Sequence, residues 1–272
     1  MCLKKYPQVL IPLSILLIFN ELETMNEQNI LIYGRHPIAD AIRANKRFEK
    51  IMMQQDLRGE AEIEIRQLAK ANGIPLSIVP REKLSKMANG GNHQGILGFL
   101  AMVEYQKLDE VLPFVFEKGE VPLLLLLDNI TDVRNFGAIA RSAEVMGVHA
   151  IVVPLQGAAL LNADAMKTSA GALSRIAVCR EKNLSQVLDY LAQSGVQVVA
   201  SDLKGDKKLY EMDFSMPTAI IMGSEDEGVN RALLRRADER FIIPQVGTTD
   251  SLNVSVATGV ILYEVVRQRM SV

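Results

Sequence analysis

The chain alternates between short, continuous apolar runs and longer segments whose apolar residues recur every three or four positions. The first pattern predicts buried strands and the second predicts helices packed by one face. From Asn29 onward the strands are predicted at Ile30–Tyr33, Lys50–Met53, Pro75–Val79 and Ile96–Val103. Between them lie helices over Pro37–Ala44, Glu60–Asn72 and Arg81–Met87. Gly73 ends the second helix, and Asn89-Gly90-Gly91-Asn92 is a loop. A second series of strands is predicted at Val121–Leu127, Ala150–Val153, Ile176–Cys179, Gln197–Ala200, Thr218–Met222 and Phe241–Ile243. Helical patterns fill its gaps, at Phe136–Met146, Ala163–Leu173, Leu184–Gln193, Asn230–Ala237 and Val254–Arg269. Such alternation predicts an α/β fold with a mostly parallel sheet covered on both faces.

The two series imply two domains. The less apolar stretch from Tyr105 to Glu120, with Pro113 and Gly119, reads as a linker carrying one short helix around Leu108–Glu117. The boundaries are a smaller domain over residues 25–105, a linker over 106–120 and a larger domain over 121–272. The leading segment reads differently. Lys4 and Lys5 precede an apolar run from Val9 to Phe19, as in a signal peptide, but no small-residue cleavage site follows. The run is also shorter than the ~20 apolar residues of a spanning helix. The expectation is that Met25 initiates the functional protein and that residues 1–24 are upstream leader.

Composition narrows the function. The 272 residues are 49% apolar and 23% charged, with a formal net charge of -2. Any nucleic-acid contact therefore needs a local basic patch. Two cysteines, Cys2 and Cys179, make neither a disulfide framework nor a zinc site, and His36, His93 and His149 are scattered. No metal is expected, and the reading is cytoplasmic.

In open parallel sheets ligands bind beyond the carboxyl ends of the strands, so the loops there carry the chemistry. After Leu127 comes "DNITDVRNFGAIARSAEVMG". Asn135 is a candidate N-cap. Arg141 falls opposite the apolar face of Ile139, Ala143 and Met146, free for a partner or simply solvated. After Met222 comes "GSEDEG", an acidic loop bracketed by Gly223 and Gly228. Glu225, Asp226 and Glu227 would repel phosphate, and no lysine follows as in a P-loop. After Ile243 comes "PQVGTTDSLNVS", rich in hydroxyls and amides. The helix that follows is apolar nearly all round, which predicts burial in a core or a subunit interface. Ser251, Asn253 and Ser255 at its start then need hydrogen-bond partners, in neighbouring loops or in a ligand. No G-x-G-x-x-G, G-x-S-x-G or H-E-x-x-H motif is present.

Together "NFGAIAR", "IMGSEDEG" and "IPQVGTTDSLNVSVA" resemble the three motifs of the SpoU/TrmH family, RNA ribose 2′-O-methyltransferases of the SPOUT class. The first domain is similar to that family's L30e-like substrate-binding domain, with Gly34-Arg35-His36 and His93-Gln94-Gly95 as cues. The two-domain arrangement is closest to members that methylate a guanosine of 23S rRNA. The resemblance implies a trefoil-knotted methyltransferase domain, a homodimer, and S-adenosylmethionine as cofactor. It implies that Met222, Gly223, Ile243, Leu252 and Asn253 hold the cofactor. It also implies that Arg141 acts at the ribose hydroxyl, with Asn135, Glu225, Ser251 and Asn253 as the polar frame around it. Two positions depart from the family pattern. Val133 stands where many members have proline, and Leu173-Ser174 replaces a frequent acidic residue. Arg35, Lys46, Arg47 and Lys50 are candidate RNA-phosphate contacts or solvated charges. The competing readings are methylation of tRNA and a non-catalytic RNA-binding or assembly protein on the same fold.

Overall fold

Five leucines in a row, Leu123–Leu127, form a strand with no exposed residue. A strand can be apolar on both faces only at the centre of a covered sheet. In the computed structural model, which describes residues 31–248 and 251–270, this is the case. The leader expectation and the start at Met25 lie outside the described residues. The chain divides after Leu100 into two compact units.

The first unit is a four-stranded sheet of β1 (Leu31–Tyr33), β2 (Phe48–Gln54), β3 (Leu76–Val79) and β4 (Ile96–Leu100), in the order β1-β4-β2-β3. β4 is antiparallel to both β1 and β2, and β2 is parallel to β3. Helices α1 (Arg35–Arg43), α2 (Glu60–Ala71) and α3 (Arg81–Ala88) cover it. Gly98 in mid-strand leaves room for Phe48, because a Cβ there would lie 2.5 Å from the Phe48 ring. The predicted strand to Val103 stops at Leu100.

The second unit holds eight strands in the order β10-β12-β9-β11-β6-β7-β8-β5, every neighbouring pair parallel. They are β5 (Tyr105–Gln106), β6 (Leu123–Leu127), β7 (Ala150–Pro154), β8 (Ala177–Glu181), β9 (Gln197–Ser201), β10 (Lys207–Lys208), β11 (Thr218–Met222) and β12 (Glu239–Ile242). The helices are α4 (Leu108–Glu117), α5 (Val133–Val145), α6 (Ala163–Thr168), α7 (Leu184–Gln193), α8 (Arg231–Leu234) and α9 (Val254–Arg269). The stretch expected as a linker belongs to this unit. β5 pairs with β8, and α4 buries Leu108, Val111, Leu112 and Val115 in the core.

Three further expectations change. The helix predicted to Leu173 breaks after Thr168, because Ala170 and Gly171 take left-handed backbone before a 3-10 turn at Ala172–Ser174. The helix predicted from Asn230 to Ala237 is the single turn α8, capped by Asn230. The apolar α9 is buried on one side only. Val254, Thr258, Ile261, Leu262 and Val265 face the core, whereas Val256, Val260 and Tyr263 are 52%, 40% and 62% exposed.

Candidate active site

The sheet places the ends of β6, β11 and β12 on one edge, and three loops meet there. The first feeds α5. Asp132, not Asn135, caps this helix, accepting the Asn135 N–H at 2.7 Å. Either residue type can cap, so the sequence does not decide between them. With Asp132 in that role the Asn135 amide is free to reach outward. It donates through Nδ2 to Glu225 Oε1 at 3.1 Å.

Asn253 is the true cap of α9. Its Oδ1 accepts the Ser255 N–H at 2.9 Å and the Ser255 hydroxyl at 2.5 Å. Its Nδ2 donates to Asn135 Oδ1 at 3.0 Å and to Glu225 Oε1. The Val254 N–H also points to Glu225 Oε1, at 3.4 Å. One carboxylate oxygen thus gathers the starts of two helices and the loop after β11. The predicted frame of Asn135, Glu225 and Asn253 closes into a hydrogen-bonded triangle. Ser251 is exposed beside it and makes no side-chain hydrogen bond among the described residues. Thr249 and Asp250 lie outside the described residues.

The loop after β11 turns back sharply. A Cβ on Gly223 would lie 2.0 Å from the Gly228 carbonyl carbon and 2.1 Å from the Val229 nitrogen. Only glycine allows the two backbones so close. The turn is held by Gly228 N–H to the Ser224 carbonyl at 3.0 Å and by Glu227 N–H to the Ser224 hydroxyl at 3.2 Å. Of the other expected cofactor positions, Leu252 is 40% exposed and Ile243 is half-buried against the core. Met222 is different. Its side chain is buried and its carbonyl accepts the Asp128 N–H at 2.8 Å.

Nothing in the sequence marks Asp128, because an acid after a strand reads as an ordinary turn residue. It is 6% exposed. Its Oδ2 accepts the Asn230 N–H at 2.7 Å, and its Oδ1 accepts the Asn129 amide at 3.2 Å. It therefore ties the end of β6 to the far end of the glycine loop. Burial raises its pKa, the Asn230 bond opposes this, and nearby Glu227 adds to the rise.

Arg141 lies on the outer face of α5, exposed, while Ile139 and Ala143 on the other face are fully buried. Its guanidinium makes no hydrogen bond or ion pair among the described residues. An exposed arginine with all its donors open, six residues along α5 from Asn135, can bind a phosphate or a hydroxyl in two-pronged fashion. The donor set suits a neutral nucleoside carrying a cationic sulfonium. Glycine backbone and amides line the loops, and Glu225, Asp226 and Glu227 supply negative charge.

In the first unit the two cue segments meet. Gly34 N–H bonds the Ile96 carbonyl at 3.2 Å, and a Cβ on Gly34 would press on Gln94 Oε1 at 3.2 Å. His93 is buried, bridging the Ser85 hydroxyl at 3.1 Å and the Gly95 N–H at 3.1 Å. Lys46 and Arg47 are exposed in the turn before β2, and Arg35 is half-exposed at the start of α1. Lys50 is not an open cation. Its ammonium sits 5.5 Å from the Phe99 ring centre, and burial lowers its pKa against the pull of Glu49. Among the described residues no group of histidine, cysteine and acidic side chains could hold a metal, and no helix is long and apolar enough to cross a membrane.

The chain is similar to known proteins over both units. Residues 122–263 match the SpoU rRNA Methylase family, and residues 31–106 match the RNA 2′-O ribose methyltransferase substrate binding family. The Bacillus subtilis protein YacO, assigned to the TrmH family of tRNA/rRNA methyltransferases, is 35% identical over 246 residues, covering 90% of this chain and 98% of that protein. The 23S rRNA (guanosine-2′-O-)-methyltransferase RlmB of Yersinia pestis is 38% identical over 244 residues, covering 88% of this chain and 97% of it. The crystal structure of the SpoU methyltransferase AviRb of Streptomyces viridochromogenes with AdoMet superposes with a TM-score of 0.57 at 25% identity, covering 89% of this chain and 91% of that one. With both domain types matched in order and the three motif loops converging on one edge of the sheet, the chain belongs to the SpoU family of RNA 2′-O-ribose methyltransferases.

Proposed function

We propose that this enzyme methylates the ribose 2′-hydroxyl of a guanosine in 23S rRNA. The observation that carries the reading is the triangle of Asn135, Glu225 and Asn253, which ties the helix that presents Arg141 to the loop after β11 and the start of α9. The substrate assignment leans on the Yersinia pestis relative, which aligns through both domains. The methyl donor is S-adenosylmethionine, which brings an electrophilic methyl group on a sulfonium.

The chain's own residues orient the reaction. The Gly223–Gly228 loop, Ile243 and Leu252 form the cofactor wall, and Glu225 sets a negative charge there. A guanidinium keeps its proton in proteins, so Arg141 does not act as the base. Its planar fork holds the reacting ribose and the adjacent phosphate. The 2′-hydroxyl is a weak nucleophile and loses its proton, to water or to a nearby phosphate, as the new carbon–oxygen bond forms. Positioning supplies much of the rest of the acceleration. Asn135 and Asn253 fix Glu225, and Ser251 stands ready to donate or accept at the open side.

The remaining expectations join this reading. Arg35, Lys46 and Arg47 serve RNA phosphates. Lys50 is a weaker candidate because its charge is spent on Phe99 and Glu49. The chain after Met222 forms the trefoil knot. Val256, Val260 and Tyr263 on α9 make the core of a homodimer interface, which accounts for apolar residues left in water. The enzyme works in the cytoplasm, with its RNA. Mapping ribose methylation in RNA from cells with and without the protein tests the assignment. The expected result is loss of one 2′-O-methylguanosine in 23S rRNA. Loss of a methyl group in tRNA instead, or none at all, overturns it.

A further inference from the structure

Arg141 should not be free. Glu144 follows it by three residues on α5, and side chains three apart on a helix are neighbours. Elsewhere the chain closes contacts between helical neighbours three or four residues apart. Arg267 pairs with Glu264 at 2.7 Å, Arg66 with Glu62 at 2.8 Å, and Lys107 with Glu110 at 3.3 Å. In the last pair the cation precedes the acid, as Arg141 precedes Glu144. Yet Glu144 turns to a residue 31 positions away, accepting from Arg175 Nε at 2.7 Å.

Arg175 is delivered there by built structure. α6 lies so close to α5 that a Cβ on Gly137 would come within 2.7 Å of Thr168 Cβ and 3.0 Å of the Ala165 carbonyl. After α6 the left-handed Ala170 and Gly171 reverse the chain into the 3-10 turn. Ser174 Oγ bonds the Gly171 carbonyl at 2.7 Å and Arg175 N–H bonds the Ala172 carbonyl at 2.9 Å. The turn thus sets the base of Arg175 against α5.

We propose that Arg175 is a positioning residue for methyl transfer, which holds Glu144 and so keeps Arg141 available to the RNA. Remove Arg175, and Glu144 turns to its helical neighbour. RNA must then break an Arg141–Glu144 pair before it can be held. The inference rests on the assignment of Arg141 given above.

A double-mutant cycle tests it, read as the affinity of unmethylated 23S rRNA transcript by fluorescence anisotropy without cofactor, and as KM for that RNA. Arg175→Ala weakens RNA binding about 2- to 5-fold, the worth of one exposed ion pair. The loss grows at low salt, where exposed pairs are least screened. Glu144→Gln alone changes little, because Arg175 already neutralises that carboxylate. In the Arg175→Ala background Glu144→Gln restores binding. Arg175→Lys keeps part of the effect. If Glu144→Gln improves binding equally in both backgrounds, Arg175 touches RNA directly and the proposal is wrong. If Arg175→Ala lowers Tm and is not rescued, its role is structural only and the proposal is equally wrong. Failure of the underlying reading looks different, since Arg141→Ala would then leave methylation intact whatever stands at residue 175.

Discussion

Asn253 donates to Asn135 Oδ1 at 3.0 Å across 118 residues of chain, and both amides converge on Glu225 Oε1. Replacing Asn253 therefore removes three things at once. Asn253→Ala loses the cap of α9, costing about 0.5–2 kcal/mol. It also leaves Glu225 and Asn135 with unmet hydrogen-bonding capacity. Arg141→Ala loses no bond within the described residues. The two variants should separate. Asn253→Ala lowers Tm and weakens S-adenosylmethionine binding in calorimetric titration. Arg141→Ala keeps both near wild type but weakens RNA binding and collapses kcat/KM for the RNA, because the hold on the ribose and its phosphate is lost. Arg141→Lys should not recover the rate, because an ammonium lacks the planar fork. Loss of cofactor binding in Arg141→Ala would contradict its assigned role.

Gly223→Ala forces a Cβ to within 2.0 Å of backbone at Gly228, and backbone cannot swing aside as a side chain can. The loop must open. The expected cost is about 1–3 kcal/mol, with cofactor affinity lost beyond what the stability change predicts. Gly228→Ala is a useful contrast, because a Cβ there meets nothing within 4 Å and the strain comes only from its φ of 67°. Equal damage from both, measured by denaturant midpoint and cofactor titration, would rule out the close approach as the cause.

Asp128 gives a pH signature. Its folded-state pKa lies above the ordinary 3.8, so the native state binds the proton more tightly than the unfolded chain. Its favourable contribution is fully present below pH 3.8 and is lost as pH rises through the folded value. Asp128→Asn removes that titration. The stability of the variant relative to wild type should be greatest at neutral pH and should decline as pH falls toward 3.8. A pH-independent difference in urea unfolding would mean that burial does not penalise the charge.

The exposed face of α9 predicts assembly. Val256→Asp or Val260→Asp should turn a dimer into a monomer by light scattering, while Val145→Asp on α5 provides a comparison at another exposed apolar residue. Wild-type protein that is monomeric at micromolar concentration would refute the interface.

Cys179 is fully buried and its thiol is pushed up to about 12, by burial first and then by Glu181 and Asp109. The thiolate is the reactive form, so Cys179 should resist alkylation in the native protein and react on unfolding. Peptide mapping after iodoacetamide treatment checks this residue by itself.

The sequence makes the sheet legible because its central strand is an unbroken apolar run, Leu123–Leu127, and its helices keep one apolar stripe each. Asn135, Glu225 and Asn253 were legible through their motifs, though not the bonds among them. What escaped has physical reasons. Two-residue strands such as Tyr105–Gln106 and Lys207–Lys208 carry no periodicity. Asp132 and Asn135 are equally good caps, and geometry alone chose between them. Nothing in its type marks Ala170 as left-handed. Asp128 becomes unusual only once it is seen to be buried. The Glu144–Arg175 pair joins residues that no local pattern connects.

Near the end of α9, the Arg269 guanidinium donates to the carbonyls of Phe214, Val121, Pro122 and Met216, at 2.8–3.0 Å. Those carbonyls lie just ahead of β6 and β11, the two strands at the heart of the sheet. During synthesis every strand leaves the ribosome before this fastener does. The bonds that fasten the starts of β6 and β11 to the end of α9 therefore come from a residue synthesised after both strands.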